Sequence, residues 1–328
     1  MASLVSIIIP CYNAETWIEE SIQSALDQTW PNKEVIVIDD GSKDGSLEKI
    51  KSFDGKIRWE SGPNRGGCVA RNRGVELARG DWIQFLDADD VMLPDCIAAK
   101  MATSCAANER VCCDVAAMEA GRSVVEYWNQ KRYELAYIIR VGSPQTAAPL
   151  HRRKDLLGIK GFRAGLRCGQ ELDLHLRMAI QLGVTFVSHG KTGILTRHRP
   201  DSVSNSAYQN ETMSLACGEI ALNALKLIKA MKSDRSRYVD AIASRMALLG
   251  RQLHRMGSEK DAIRFVNEAK RISPRWYEGV YKSRPATILA RAIGFSAFES
   301  LHAFCRMHRG KSFLFIQIPI RWLVEATN

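Results

Sequence analysis

Three acids close the hexapeptide FLDADD, residues 85–90, directly behind the apolar pair Phe85 and Leu86. Asp87 and Asp89 stand two apart. On an extended chain their carboxylates would leave the backbone on one side, and a loop would converge them differently. Hard oxygen ligands gathered this way suit a divalent cation, Mg²⁺ or Mn²⁺. A cation there can bridge a diphosphate and neutralise charge developing on a leaving nucleotide. The plain alternative is an acidic surface loop capping a helix that starts near Pro94, and an Asp-x-Asp by itself favours that alternative. A second acidic pair, Asp39-Asp40, precedes Gly41, where an Asx-type turn is the structural explanation.

These acids need elements to present them. VSIII (5–9) is a short β-branched run that stops at Pro10. Asn13 then fits a helix N-cap, with Trp17, Ile18, Ile22, Ala25 and Leu26 on one helical face. EVIVI (34–38) is a second strand and ends at the Asp39-Asp40 pair. A short helix is predicted around 47–53, a strand near 57–60, a helix over 68–78 and a strand at WIQFL (82–86), which ends at the acidic turn. Strands alternating with helices predict a parallel sheet with helices on both faces, and such sheets bind ligands at the carboxyl ends of their strands. Both acidic groups lie at such ends. A helix is expected over 94–107, a strand over 111–118 and irregular structure over 119–150. Residues 161–183 read as a Gly-rich turn followed by a helix carrying Leu172, Leu176, Ala179 and Ile180. From about residue 210 the pattern is almost wholly helical, which sets two domains, 1–208 and 209–328. A helix over 241–256 ends at Gly257, a good C′ residue, and Ser258 with Asp261 resembles a capping box for the next. That pair is faintly like one tetratricopeptide unit.

The formal charge of +10 over 328 residues favours anionic partners: nucleotide phosphates, a nucleic acid or an acidic membrane surface. The nine cysteines are an odd count without a Cys-x-x-Cys pair, and Cys112 and Cys113 are adjacent, so reduced thiols in a cytoplasmic compartment are expected. The first apolar run is too short for a signal segment, and no stretch approaches the ~20 apolar residues that span a bilayer. Residues 285–328 are apolar and basic by turns and include FLFIQIPIRWLV (313–324). They suit a cap on the catalytic domain or on a second subunit, a homo-oligomer, or peripheral contact with the inner face of the cytoplasmic membrane.

Four segments occur in order: IIIPCYNAETWIEESIQSALDQTW (7–30), VIVIDDGSKDGS (35–46), NRGGCVARNRGVELARGDWIQFLDADD (64–90) and GQELDLHLRMA (169–179). Together they closely resemble the family-two glycosyltransferases, inverting enzymes with a GT-A fold, over roughly residues 3–205. The resemblance implies a Rossmann-like α/β domain with a mixed, mostly parallel sheet and flanking helices, followed by the helical carboxyl-terminal region. Pro10, Tyr12 and Asn13 match the end of the family's first strand, where an aromatic residue lies near the nucleotide base; a ring face suits the π surface of a base. Asp39 and Asp40 match the acidic pair that recognises base and ribose. Arg71 and Asn72 match the Ala-Arg-Asn signature, with Arg71 offering its fork to the diphosphate or bracing the acids. Asp89 matches the metal ligand, and Asp87 the acid that helps place the nucleotide sugar.

The family commonly shows Glu-Asp ahead of an aliphatic helix, the Asp deprotonating the acceptor. Here Gln170 and Glu171 stand in those places, so Glu171 falls on the base position, one methylene longer. Asp173 is the backup, although one turn into the helix it favours capping. TRHRPDSVS (196–204) resembles the family's late Arg-x-His segment, in which Arg197 and His198 would reach the diphosphate or close over it. Gly66-Gly67 lacks the Lys-Ser/Thr of a phosphate loop and reads as a turn into a helix.

The expected function is transfer of a sugar from a nucleotide-sugar donor, UDP-linked, to a hydroxyl of a saccharide or lipid-linked acceptor, with Mn²⁺ or Mg²⁺ as cofactor and inversion at the anomeric carbon. Resemblance places it in bacterial surface polysaccharide or glycolipid synthesis. Two other classes stay open, a nucleotidyltransferase and a non-catalytic partner that binds nucleotide sugar. No RNA-recognition signature is present, so a nucleic-acid partner is not expected.

Overall fold

VSIIIPC forms β1 (Val5–Cys11), buried along almost its whole length. That is what a central strand of a parallel sheet covered on both faces requires. The computed structural model describes residues 2–118, 124–127, 130–197, 211–232 and 235–276. β1 pairs in parallel with β2 (Lys33–Asp39) on one side and β4 (Trp82–Phe85) on the other, and β3 (Arg58–Ser61) adds in parallel to β2. The chain then runs through β5 (Val91–Met92), β6 (Glu109–Met118), β7 (Val124–Tyr127) and β8 (Arg132–Tyr133). It returns as β9 (Leu150–Arg152), antiparallel to β4, which completes a sheet of order β3-β2-β1-β4-β9. β10 (Thr185–Arg197) lies between β5 and β6 in a second sheet of order β5-β10-β6-β7, with β8 also paired to β10.

Helices fill the crossovers: α1 (Ile18–Leu26), α2 (Ser46–Lys51), α3 (Gly67–Leu77), α4 (Cys96–Ala102), α5 (Leu135–Arg140), α6 (Arg153–Gly158) and α7 (Gln170–Leu182). α3 lies so close to β1 that a Cβ at Gly74 would come within 2.3 Å of Ile8 Cγ2. A glycine at that point lets the helix seat against the central strand. This fixes Arg71, one turn earlier.

Several expectations are corrected. Asn13 is no N-cap: α1 begins at Ile18, with Trp17 in the cap position. Asn13 takes φ 49° and accepts the Lys43 N–H on Oδ1 at 2.8 Å, so its side chain ties together the loops after β1 and β2. Residues 119–150, expected to be irregular, contain β7, β8 and α5. Each is too short to show a period in sequence. β10 was missed because its middle, SHGKTG, is polar, and the pairing with β6 shifts register between Ser188 and Thr192. α4 stops at Ala102, short of the predicted 107.

His151 on β9 and His175 on α7 stack with ring centroids 5.5 Å apart and rings inclined by 24°, both fully buried. Burial first, and then the Arg177 charge, push the His175 imidazole down to about 3. That is below the ordinary value of 6.5, so the unfolded chain takes up this proton first. Stability is therefore expected to fall as pH drops below about 6.5, and to go on falling towards about 3. Melting temperatures measured between pH 7 and 5 should slope less steeply in His175→Phe; equal slopes would assign the acid sensitivity to other groups.

The contacts divide the chain into Met1–Ser206 and Ala207–Asn328. The second unit contains α8 (Glu211–Lys229), α9 (Ser236–Arg255) and α10 (Glu259–Ile272). α9 and α10 form the expected hairpin, turned at Gly257 with φ 85°. A Cβ at Gly250 would meet Val266 Cγ2 at 2.8 Å, so the two helices need the glycine to pack. The capping box is not made: the Ser258 hydroxyl donates to Glu211 Oε1 at 2.5 Å and leaves the α10 amides uncapped by its side chain. Among the described residues no helix is long and apolar enough to cross a membrane. The amphipathic stretch 285–328, with its expected membrane or subunit contact, lies outside the described residues.

Candidate active site

β4 hands its last residue, Phe85, to Leu86, whose N–H donates to Ile8 O at 3.0 Å on the neighbouring strand. The chain then turns: the Asp90 N–H closes on Asp87 O at 3.0 Å, and Asp87, Asp89 and Asp90 crowd one bend. Arg197, at the far end of β10, holds that bend. Its N–H donates to Asp90 Oδ1 at 3.2 Å, its Nε donates to Asp89 O at 2.9 Å, and its guanidinium pairs with Glu20 on α1. The residue expected to reach a diphosphate thus clamps the acidic turn. Burial first, and then the charges of Asp87 and Asp89, hold the Asp90 carboxyl well above the usual carboxylate range.

Asp87 has a cationic partner. Arg71 Nη2 on α3 lies 2.6 Å from Asp87 Oδ1, and Arg71 Nη1 donates to Gln170 Oε1 at 2.8 Å. The guanidinium also sits over the Phe162 ring, 5.5 Å from its centroid. The arginine therefore braces an acid, one of the two roles foreseen for it, and bridges to α7. Glu171, next after Gln170, is half-buried. Burial raises its carboxyl above 4.5; the Arg71 charge opposes that rise, and Asp87 adds to it. Asp87, Arg71, Gln170 and Glu171 thus come from three separate elements to one place at the carboxyl edge of the first sheet.

The start of α7 is set by the loop before it. Asn72 holds Phe162 at both ends, its Nδ2 donating to Phe162 O and its Oδ1 accepting the Phe162 N–H, each at 2.8 Å. Arg177 on α7 donates to the carbonyls of Ile159 and Gly161, at 2.9 and 2.7 Å. Asp173, the backup base, is 2 % exposed and is taken up by Arg177 at 2.8 Å and Arg163 at 3.3 Å. It is a structural carboxylate. Gly161 has φ 59°, and a Cβ there would lie 2.2 Å from Asn72 Oδ1. Gly161→Ala is expected to cost about 1–3 kcal/mol, read as a lower melting temperature, because it combines backbone strain with a broken asparagine clamp.

On the other flank, Tyr12 is 49 % exposed at the end of β1, beyond the half-buried Pro10. The loops after β1 and β2 are laced together: the Asn13 and Ala14 N–H groups donate to the Ser42 and Ser46 hydroxyls at 3.0 and 2.8 Å. Asp39 and Asp40 face inward, 2 % and 7 % exposed. Asp39 accepts from the Ser61 hydroxyl at 2.6 Å and from the Ser42 N–H at 3.2 Å. Asp40 accepts the Arg65 and Gly66 N–H groups, both at 2.8 Å, and so caps the entry to α3. Gly66-Gly67 is the turn into a helix that the sequence suggests.

Sequence reasoning gave Gln170 no part and left Asn72 without a task. The adjacency of Asn72 to Arg71, and of Gln170 to Glu171, was the available signal. His198 lies outside the described residues. Among the described residues no three His, Cys, Asp or Glu side chains converge as a metal cage. A cavity of about 600 Å³ lies in the second unit, lined by residues that include Lys232, Arg235 and Asp240, and it contains none of the expected site residues.

Residues 6–168 match the family model described as "Glycosyl transferase family 2". An uncharacterized glycosyltransferase of Haemophilus influenzae is 46 % identical over 96 residues, covering 28 % of this chain and 38 % of that protein. The putative teichuronic acid biosynthesis glycosyltransferase TuaG of Bacillus subtilis is 43 % identical over 91 residues, 26 % of this chain and 36 % of that protein. The chain spans little more than a third of the length of either. Among solved structures, S. aureus TarS 1–349 in complex with UDP-GlcNAc superposes with TM-score 0.69 at 18 % identity, covering 92 % of this chain and 91 % of that one. The mannosyltransferase PcManGT of Pyrobaculum calidifontis, in complex with GDP-Man and Mn²⁺, gives 0.55 at 15 % identity, covering 95 % and 89 %. At those identities the likeness speaks to the fold, a GT-A-like mixed α/β architecture.

Proposed function

The chain belongs to glycosyl transferase family 2 through residues 6–168, and from that premise we propose that it is a metal-dependent, inverting glycosyltransferase. It moves a sugar from a UDP-linked donor to a hydroxyl acceptor on a bacterial surface saccharide or glycolipid. The observation that carries this reading is the Arg71 fork, with one amino group on Asp87 and the other on Gln170, beside the raised carboxyl of Glu171. An acid that places the donor, a fixed cation and a base converge where a parallel sheet presents ligands.

The acidic turn suits a hard divalent cation. Burial first, and then the charges of Asp87 and Asp89, raise the Asp90 carboxyl, and carboxylates crowded on one bend attract a hard cation. Without a full protein cage, Asp89 with Asp87 would hold Mn²⁺ or Mg²⁺ jointly with donor phosphates, as Mg²⁺ sites commonly are. When bound, the metal neutralises the diphosphate leaving group. Arg71 keeps Asp87 oriented, and Arg197 keeps the turn closed. Glu171 takes the acceptor hydroxyl proton on its carboxylate as the oxygen attacks, giving one displacement and inversion. Tyr12 offers an exposed ring to the base, and Asp39 keeps unused lone pairs for a base or ribose donor. The fold neighbours with UDP-GlcNAc and with GDP-Man and Mn²⁺ support a nucleotide sugar and a metal. The relative named for teichuronic acid biosynthesis supports a surface polymer. No disulfide joins the cysteines of the described residues, which suits a cytoplasmic site of action.

Thermal shifts with UDP and with GDP, each with and without Mn²⁺, test the reading. UDP with Mn²⁺ at about a hundredfold excess over Kd is expected to raise the melting temperature by roughly 5–10 °C. Asp89→Ala should lose the Mn²⁺-dependent part and keep the melting temperature of the free protein. Equal Mn²⁺-dependent stabilisation of that variant would remove Asp89 from the metal.

A further inference from the structure

Lys100 is a buried cation that the candidate site does not use. It is 2 % exposed, and its Nζ donates to Gln84 Oε1 at 2.7 Å with Ala147 O at 3.5 Å. A buried ammonium without a carboxylate draws on whatever acids face it. Burial works against its charge, and the thiols of Cys113 and Cys96 that face it raise its proton affinity. Cys96 stands one turn before Lys100 on α4, and its Sγ is 3.9 Å from Cys113 Sγ on β6. Cys112 points to the opposite face of β6, as alternation along a strand requires. Gly193 of β10 packs against the pair: a Cβ there would lie 2.7 Å from Cys96 Sγ and 2.7 Å from Cys113 Cβ. Its missing side chain leaves the sulfurs room to approach. The Cys96 thiol is brought down to about 6, through its hydrogen bond with Cys113 and the Lys100 charge, against the penalty of burial. Burial pushes the Cys112 thiol up.

We propose that Cys96 and Cys113 are a modification site, a dithiol that a peroxide closes to an intramolecular disulfide, with Lys100 as the group that activates Cys96. The Cys96 thiolate attacks one peroxide oxygen. The O–O bond breaks, leaving Cys96 as a sulfenic acid and releasing hydroxide, which becomes water on protonation. The Cys113 sulfur then attacks the Cys96 sulfur. The S–O bond breaks, and hydroxide leaves as water with the Cys113 proton. Two thiols and one hydrogen peroxide give one disulfide and two waters; the sulfurs lose two electrons and the peroxide gains them. The sulfurs need to close from 3.9 Å to about 2.05 Å, within the reach of side-chain rotation and a small backbone adjustment. The bond would tie α4, which follows the acidic turn, to β6, the strand paired with the one that ends at Arg197.

The test is stoichiometric hydrogen peroxide on the full chain, followed by blocking of free thiols and non-reducing tryptic mapping. Cleavage after Arg79, Lys100, Arg110 and Arg122 puts Cys96 in 80–100, the exposed Cys105 in 101–110 and Cys112 with Cys113 in 111–122. A link between 80–100 and 111–122 that dithiothreitol removes is expected, and it should persist in Cys112→Ser and vanish in Cys113→Ser. In a Cys105→Ser background, where the lost cleavage after residue 100 leaves Cys96 the one thiol of peptide 80–110, Lys100→Met should slow its formation by roughly tenfold or more, since the thiolate fraction of Cys96 falls. Blocked, reduced Cys96 and Cys113 beside an oxidised Cys105 would overturn the site, as would a link that maps to Cys112. An unchanged rate in a folded Lys100→Met would overturn the part given to the lysine. The mapping needs only the wild-type chain, so a variant that fails to fold leaves it standing.

Discussion

Glu171→Gln is expected to lower the turnover number by about 10²–10⁴ while leaving the melting temperature and the UDP-dependent thermal shift near those of the wild type. The substitution keeps the shape of a half-buried side chain and removes only its capacity to take a proton. Glu171→Asp, which restores the shorter carboxylate that the family commonly has here, should retain more activity than the glutamine. The same residue sets a pH limb. Its carboxyl is raised by burial, with Asp87 adding and Arg71 opposing. The base is deprotonated above its pKa, so kcat/KM should rise with pH through a value higher than that of an ordinary glutamate and level off above it. Arg71→Met removes the opposing positive charge and should move that limb to higher pH. Nucleotide release coupled to sugar transfer reads both effects. A Glu171→Gln enzyme within a few-fold of wild type at every pH would take the base away from this position.

Part of this site was legible because its acids sit at the ends of strands with plain sequence signals. β1, β2 and β4 are β-branched or aromatic runs that end near Pro10, Asp39-Asp40 and the acidic turn, so both acidic groups could be assigned an edge from the sequence, while Arg71 and Glu171, on helices, were placed by resemblance. What sequence does not show is who satisfies whom. Asp40 looks like a nucleotide ligand in the string, and it spends both oxygens on the Arg65 and Gly66 amides because a helix entry lies beside it in space. Arg197 looks like a free cation in a basic loop, and it is consumed by a turn that ends more than a hundred residues earlier. The second sheet was hardest to foresee. β10 interrupts its apolar run with SHGKTG, so its pairing with β6 is a property of the tertiary fold and not of local pattern.

Asp173 separates structure from chemistry two residues along the same helix. Asp173→Ala should destabilise the protein by about 3–5 kcal/mol, because the Arg177 guanidinium it pairs at 2.8 Å stays buried without its counter-charge. For a chain of this size that is a fall in melting temperature of roughly 10 °C. Asp173→Asn keeps a hydrogen-bond acceptor for Arg177 and should lose less. The loss reaches the site by one route: Arg177 also holds the carbonyls of Ile159 and Gly161, which lead to the Asn72 clamp on Phe162 and on to Gln170 and Glu171. Assayed well below its melting temperature, Asp173→Ala should therefore keep turnover within about tenfold of wild type, where loss of a proton-transfer group costs 10²–10⁴. Its pH limb should stay with Glu171. A variant that melts like the wild type yet is inactive would reverse the assignment, making Asp173 the base and Glu171 a first-turn helix acid. The two carboxylates differ by half a helical turn and by one property: Asp173 is already paired with arginine, and Glu171 keeps a carboxyl whose proton affinity burial has raised.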